Sequence, residues 1–543
     1  MFKSRRYLLP LLCLAALALA AALLYAPFLS NGLVFDDQNL FANLSVYEDA
    51  LVPFSFRPRT FPYFTLGFVQ VMFGSIVAQR IVSLILHIGC AWLLFALLKR
   101  LLDLARGEDA VPDASRYLLP LLGAAWFALN PVAVYGAAYL VERTIVLATL
   151  FSLACLLMFV RAFSSRSTGD VFAAAVLYSA AIFCKEHAIM LPLGALPLIA
   201  LAGTGDRRWN LRHALLFLLL CLPAGVTVIF EVKSVIGRAY EPFVGDIIAQ
   251  LGTMALFRNP AGVWLASMAM QAREFFLYLY LWLVPDVRTM SADLRVDFLG
   301  VMHSPSLVLG VAAFLAAPAL GFYCLLRRGA AALFGCGLLL SWLLYMTELS
   351  AVRLQEPFVL YRSYLWAPGF AMMLAAVLSR LRWRWLLALL VIAVALEFPL
   401  AQNRLRSFAS EQALWDDAVA KLSAPNLPGA DRTYFNRGDV RLGRGELAKA
   451  MKDFNRSVKL NPEADYGYIG RSFVYYKEKN YVQALVEVDH ALRLKPDSGL
   501  DLYLRGVLCE RLHRPAEALA AFRAAAKAGY LGAKFRLKYL KTS

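Results

Sequence analysis

The chain has 543 residues, of which 60% are hydrophobic and only 17% charged, and its mean hydropathy is +0.58. That balance excludes an ordinary soluble globular protein and describes a polytopic membrane protein. The formal charge of +17 requires no nucleic-acid partner, because most basic residues lie in short loops between apolar segments, where the positive-inside rule accounts for them.

Lys3, Arg5 and Arg6 precede the first apolar run, which begins near position 7, and this predicts a cytoplasmic N-terminus. The run LLCLAALALAAALLYAP also fits a cleaved signal peptide, an alternative that leaves the remaining topology unchanged. Ten further stretches close to the ~20 residues that cross a bilayer begin near positions 79, 117, 143, 170, 188, 213, 305, 330, 362 and 385. Alternation places Lys99, Arg100, Arg106 and Arg116, then Arg161 and Arg166, then Arg207, Arg208 and Arg212 on the cytoplasmic side.

One more apolar stretch, 261–285, breaks that order if it crosses, because Arg327, Arg328, Arg380, Arg382 and Arg384 then fall outside. Read as a re-entrant or interfacial segment, it restores the order, leaves eleven crossings and puts the C-terminus outside. The eight cysteines are scattered, with neither a Cys-x-x-Cys pair nor a disulfide framework, so they read as core packing. The expected fold is all-α, with a helical membrane domain over 1–402.

From 403 the composition turns polar. An amphipathic helix and linker are expected over 403–430, and an array of three repeats with a capping helix over 431–543. Gly438, Ser472 and Gly506 are spaced by 34 (472 − 438 and 506 − 472), as are Ala450, Ala484 and Ala518, and Pro462 and Pro496 close two repeats. This is the tetratricopeptide period, with small residues where paired helices cross, and it predicts an α-solenoid that binds a protein partner or packs on its own membrane domain.

On this topology several ionisable groups share the outer edge of the membrane: Asp36 and Asp37, Glu142 and Arg143, the run Lys185, Glu186 and His187, and the stretch from Arg353 to Arg362. Charged groups at the hydrocarbon boundary are costly unless paired or facing water, so a cluster on one side reads as a functional cavity. No Walker sequence, nucleotide-binding glycine fingerprint or His-Glu-x-x-His site is present. An outward-facing enzyme without nucleotide chemistry can draw an activated group from a lipid phosphate. It then needs a base for an acceptor hydroxyl and cations for the departing phosphate. Asp36 or Asp37 suits the first role, and Arg57, Arg143, Lys185 and Arg362 suit the second, with Glu142, Glu186, His187 and Tyr361 in support. The adjacent carboxylates also suit a divalent cation, but no metal or other cofactor is expected, since Arg and Lys already supply the positive charge. In the loop 286–303, Asp286, Asp293, Asp297 and His303 read as solvated.

Taken together, the segments FDDQNL, SFRP (Ser55 to Pro58), VSLILHIG with His87, ALNPVAVYGAAYLVERTIVLAT, CKEHAIMLP, PDVRTMSADLRVDF and EPFVLYRSYLWAPGF, followed by the repeats, are in an order that resembles the transmembrane-and-tetratricopeptide O-mannosyltransferase-like proteins of the GT-C class. The resemblance covers nearly the whole chain, and the joint order is specific although each motif alone is weak. It implies a GT-C-like membrane domain, a polyprenyl-phosphate sugar donor, an acidic base at Asp36 or Asp37, and Arg143, Lys185 and Glu186 in the site. Asn130 stands where the animal members usually have His, and only three repeats are clear, so acceptor identity does not carry over. The expected protein is a multi-pass glycosyltransferase of a bacterial inner membrane with a periplasmic repeat domain, acting on an exported protein. A glycan ligase or polymerase with a lipid or polysaccharide acceptor, and a non-catalytic membrane scaffold, are the alternatives.

Overall fold

Helix starts along the chain fall at residues able to cap them. Ser75, Ser167, Asp206 and Asn259 each accept a hydrogen bond from a backbone N–H in the first turn of the helix that follows, which satisfies donors that no preceding carbonyl can reach. The computed structural model describes residues 2–42, 45–107, 113–238, 245, 248, 258–354, 356–424 and 426–542. Among the described residues every regular element is a helix. The chain forms two compact units, one of Met1–Glu241, Thr253–Ala292 and Phe298–Ser410, the other of Pro242–Gly252, Asp293–Asp297 and Glu411–Ser543.

In the first unit, seven helices are long and apolar enough to cross a membrane: Leu8–Phe28, Ile76–Arg106, Arg143–Ser165, Arg207–Val232, Pro305–Leu326, Ala330–Ser350 and Trp383–Ser407. These are seven of the eleven crossings expected from sequence. An eighth is the pair Ser115–Leu129 and Pro131–Ala137, bent by 62° at Asn130, whose side chain caps the second helix while Pro131 takes its first position. The remaining three expected spans form shorter helices, Thr168–Cys184, Glu186–Ala202 and Ala367–Leu378. Helices of 12 to 17 residues rise only ~18–26 Å, short of the ~30 Å hydrocarbon core. Pro192 and Pro197 divide the middle one into short α and 3₁₀ turns. Pro260–Leu283 is one unbroken helix of 24 residues, so no re-entrant turn forms there, and it buries Gln271 and Glu274.

Close approach holds the centre of this unit together. A Cβ on Gly369 would lie 2.2 Å from the Ser341 hydroxyl oxygen and 2.5 Å from the Gly337 carbonyl, so only glycine lets the two backbones meet, the packing expected of apolar helices that gain little from hydrophobic burial against one another.

In the second unit three helix pairs repeat. The first helices are Ala430–Gly443, Asp465–Lys477 and Gly499–Arg511, and the second helices are Leu447–Leu460, Tyr481–Leu494 and Pro515–Lys527. The second helices start 34 residues apart (481 − 447 and 515 − 481), which is the period read from the sequence. The apolar helix before them runs to Ser407, five residues past the expected boundary (407 − 402). Glu411–Ala420 follows as the expected extra helix. Part of the loop taken as solvated belongs to this unit, for Thr433 donates to Asp293 at 2.6 Å and Arg295 pairs with Asp293 at 2.6 Å.

The period has a steric cause. A Cβ at Gly506 would lie 2.5 Å from Phe522 of the facing helix, so Gly506→Val is expected to destabilise the repeat unit by at least the ~1–3 kcal/mol of an overpacked core. Limited proteolysis should then cut within 499–527 in the variant and not in the wild type. Equal resistance of the two proteins would refute this packing.

Candidate functional site

The acidic pair opens the short helix Asp36–Ala42, where carboxylates complement the helix dipole. The preceding Phe35 sits at φ 57°, an uncommon conformation for a side chain with a Cβ. Successive residues of a helix point about 100° apart, and the two aspartates differ in burial. Asp37 is fully buried and accepts the backbone N–H of Val141 at 2.8 Å and of Leu140 at 3.3 Å. Asp36 is exposed, and its own backbone N–H donates to the Tyr139 hydroxyl at 3.2 Å. Arg80 ties the loop to the same turn through the carbonyls of Asn31 (3.2 Å), Gly32 (2.6 Å) and Ala138 (2.7 Å).

Burial pushes the Asp37 carboxyl up to about 7, against the downward pull of the two backbone N–H groups and Arg80. A carboxyl whose folded value lies above its unfolded 3.8 stabilises the fold most when protonated. That contribution is complete below the unfolded value and is lost as pH rises through about 7. The stability advantage of the wild type over Asp37→Asn, measured by thermal unfolding in detergent, should therefore shrink between about pH 4 and 7 and level off above. An advantage that grows over that range would overturn the assignment.

A second group of charges forms where the helix Thr168–Cys184 ends. Lys185 Nζ lies 3.0 Å from Glu142 Oε2 and 3.3 Å from Thr144 Oγ1, both sites buried, and 5.5 Å from the centre of the Tyr361 ring. Arg59 forks onto Glu186, with Nε 3.1 Å from Oε2 and a second contact to Oε1. Burial works to raise the Glu186 carboxyl, but Arg59 and the neighbouring His187 and Lys185 outweigh it and hold it well below the usual range. His187 Nε2 lies 3.1 Å from Glu348 Oε1, and Arg362 Nη1 donates to Glu348 Oε2 at 2.8 Å, with Arg353 Nε 3.6 Å from the same oxygen. Burial, then the nearby Arg362, lowers Arg353 to about 9.

Four of these groups line a cavity of about 440 Å³, and Lys185, Glu142, Glu348 and Arg362 stand behind them. Arg59, Glu186, His187 and Arg353 form its polar end, and Val228, Ile229, Val232, Ile236, Ile189 and Met346 are among the residues of its apolar walls. The helix Arg207–Val232 supplies Val228, Ile229 and Val232 to that lining. Among the residues that line it, the two cations Arg59 and Arg353 accompany one carboxylate, Glu186, which leaves one positive charge in excess (2 − 1). A low-dielectric cavity with a cationic end suits an amphiphile with an anionic head.

The structure brings together Glu142, Lys185, Glu186, His187, Tyr361 and Arg362. It separates two of the expected phosphate ligands from them. Arg143 is fully buried, and its guanidinium is engaged by Ser83 (3.2 Å), the Gln79 side chain (2.9 Å) and carbonyl (2.8 Å), and Thr65 (3.4 Å). Arg57 is exposed on its loop, and its neighbour Arg59, which the sequence reading passed over, reaches Glu186 instead. Glu348 was also missed; its only signal was a lone acid in an apolar run, LLYMTELSAVRL. Among the described residues no group of three His, Cys, Asp or Glu side chains is placed to hold a metal ion.

The fold and site thus define an all-helical protein with helices apolar enough to span a membrane, a charged, apolar-walled cavity and a tetratricopeptide-type array. No family model matches the chain. Among solved structures it is similar to the crystal structure of the APC/C hetero-tetramer Cut9–Hcn1, at 13% identity over 91% of this chain and 95% of that one, with a TM-score of 0.22. A likeness at that score carries no argument about function.

Proposed function

We propose that the chain is an integral membrane glycosyltransferase of GT-C type that moves a sugar from a polyprenyl-phosphate donor to an acceptor hydroxyl at the extracytoplasmic face of a bacterial inner membrane. The observation that carries this reading is the cavity, whose apolar walls suit a polyprenyl chain and whose Arg59 and Arg353 suit its phosphate. The acceptor oxygen attacks the anomeric carbon and its proton passes to Asp36. The bond from that carbon to the phosphate oxygen breaks, and the electron pair leaves with the phosphate toward the cations. Asp37 holds the turn that presents Asp36 and does not meet substrate. The repeats recruit the acceptor, an exported protein carrying Ser or Thr.

A polyprenyl phosphate bearing a photoreactive group near its head tests this directly on the purified protein. Crosslinks should map to the cavity, be displaced by unlabelled polyprenyl phosphate but not by the free polyprenol, and fall at least tenfold in Arg59→Ala with Arg353→Ala. Labelling elsewhere, or equal displacement by the uncharged alcohol, would reject the cavity as a donor site.

The scaffold reading keeps one specific observation in its favour, the regular repeat array. It predicts that Asp36→Asn leaves cellular function intact while a charge reversal in the repeat groove abolishes it.

A further inference from the structure

The helix Leu531–Thr542 carries two apolar seams. Its inner seam is satisfied: Ala533 is fully buried and Leu537 packs against the core formed by the second and third repeats. Its outer seam is Leu531 and Phe535, one turn apart and each 66% exposed.

Charge on the same face selects the occupant. Lys534 and Lys538, also one turn apart, are exposed and lie on the stripe beside Leu531 and Phe535. Arg536, on the other flank, pairs with Glu510 at 2.7 Å. From 518 to 543 the sequence holds six basic residues, Arg523, Lys527, Lys534, Arg536, Lys538 and Lys541, and no acidic one. From 411 to 517 it holds 17 basic and 16 acidic residues, so nearly all of this unit's excess charge sits at its end.

We propose that the outer seam of this helix docks on an anionic lipid surface, with Leu531 and Phe535 in the boundary between headgroups and acyl chains and Lys534 and Lys538 on the phosphates. Apolar residues flanked by lysines on one exposed face are the pattern of an interfacial helix. A chain anchored by its own spans meets lipid headgroups at high effective concentration, so a short seam suffices where a free peptide would not bind. The proposal is independent of any catalytic role.

The test uses the full-length protein in nanodiscs. Phe535→Cys, in a background with the half-buried Cys324 changed to Ser, carries an environment-sensitive fluorophore, and the exposed Lys449→Cys serves as control. With anionic phospholipid the probe at 535 should shift to the blue and lose emission to brominated acyl chains. The shift should vanish in zwitterionic nanodiscs, in high salt, and in Lys534→Glu with Lys538→Glu, while the control stays unchanged throughout. A probe at 535 that remains open to an aqueous quencher overturns the proposal. So does one shielded from both quenchers, which places a protein, either a second copy or an acceptor, on the seam instead of lipid.

Discussion

Asp36→Asn is expected to lower sugar transfer by about 10²- to 10⁴-fold, the usual worth of a positioned general base, while the protein still accumulates in the membrane. Asp36 is exposed and contributes its backbone N–H, rather than its carboxylate, to the fold, through Tyr139. The amide keeps the shape and removes the proton acceptor. Asp37 has a pKa of about 7, which on that ground alone suits a base. Geometry excludes it, because both its oxygens are taken by backbone N–H groups in a buried turn, and reach precedes pKa in assigning a base. Asp37→Asn should instead reduce the amount of folded protein.

Intact-mass spectrometry of exported proteins separates these expectations in cells carrying the wild type, either variant or a deletion. The assignment holds if the deletion and Asp36→Asn lose the same sugar-sized increment at normal protein level. It fails if Asp36→Asn keeps the increment. If no strain changes any exported protein, protein glycosylation itself is rejected, and lipid or polysaccharide acceptors and the scaffold reading move ahead.

The second large effect is expected at Glu348. This fully buried carboxylate is shared by His187, Arg362 and Arg353. Removing one member of a buried charge group leaves the others without compensation, a loss of about 3–5 kcal/mol. Glu348→Ala should therefore unfold well below the wild type in a thermal scan of the purified protein, with Glu348→Gln between them because its carbonyl still accepts from Arg362. A Glu348→Ala protein that melts with the wild type would mean that the cations have another anchor, and the account of the cavity's polar end would have to be redrawn.

Much of the architecture was legible because its signals are local. A 34-residue period fixes repeat boundaries, since each small residue faces its neighbour within one helix pair, as Gly506 faces Phe522. Apolar length identified the seven helices long enough to cross a membrane, and the same signal overcounted at 188, where Pro192 and Pro197 break an apolar run into short turns. Composition sees the apolar residues in such a stretch. It does not see whether the backbone stays helical for 30 Å, the thickness of about 20 helical residues.

The candidate site was legible as a neighbourhood rather than as a set of roles. Sequence order alone picked out Glu142, Lys185, Glu186, His187 and Arg362, because ionisable residues beside apolar spans are rare. Tertiary contacts decided what each does. Arg143 is adjacent to Glu142 in sequence, yet its guanidinium is engaged by Gln79, Ser83 and Thr65, so it is occupied where the sequence offered a phosphate ligand. Arg59 and Arg57 differ by two residues, and only Arg59 meets Glu186.

By itself the sequence determined an all-helical chain with long apolar helices, a repeat array of period 34, and charged residues beside the apolar segments, since each follows from composition or from spacing along one segment. Only the tertiary structure decided which aspartate faces outward, which arginine borders the cavity and where Glu348 belongs. Those choices rest on partners distant in the chain, such as Val141, which lies 104 residues from Asp37, and the orientation of a side chain is set by what it meets in space.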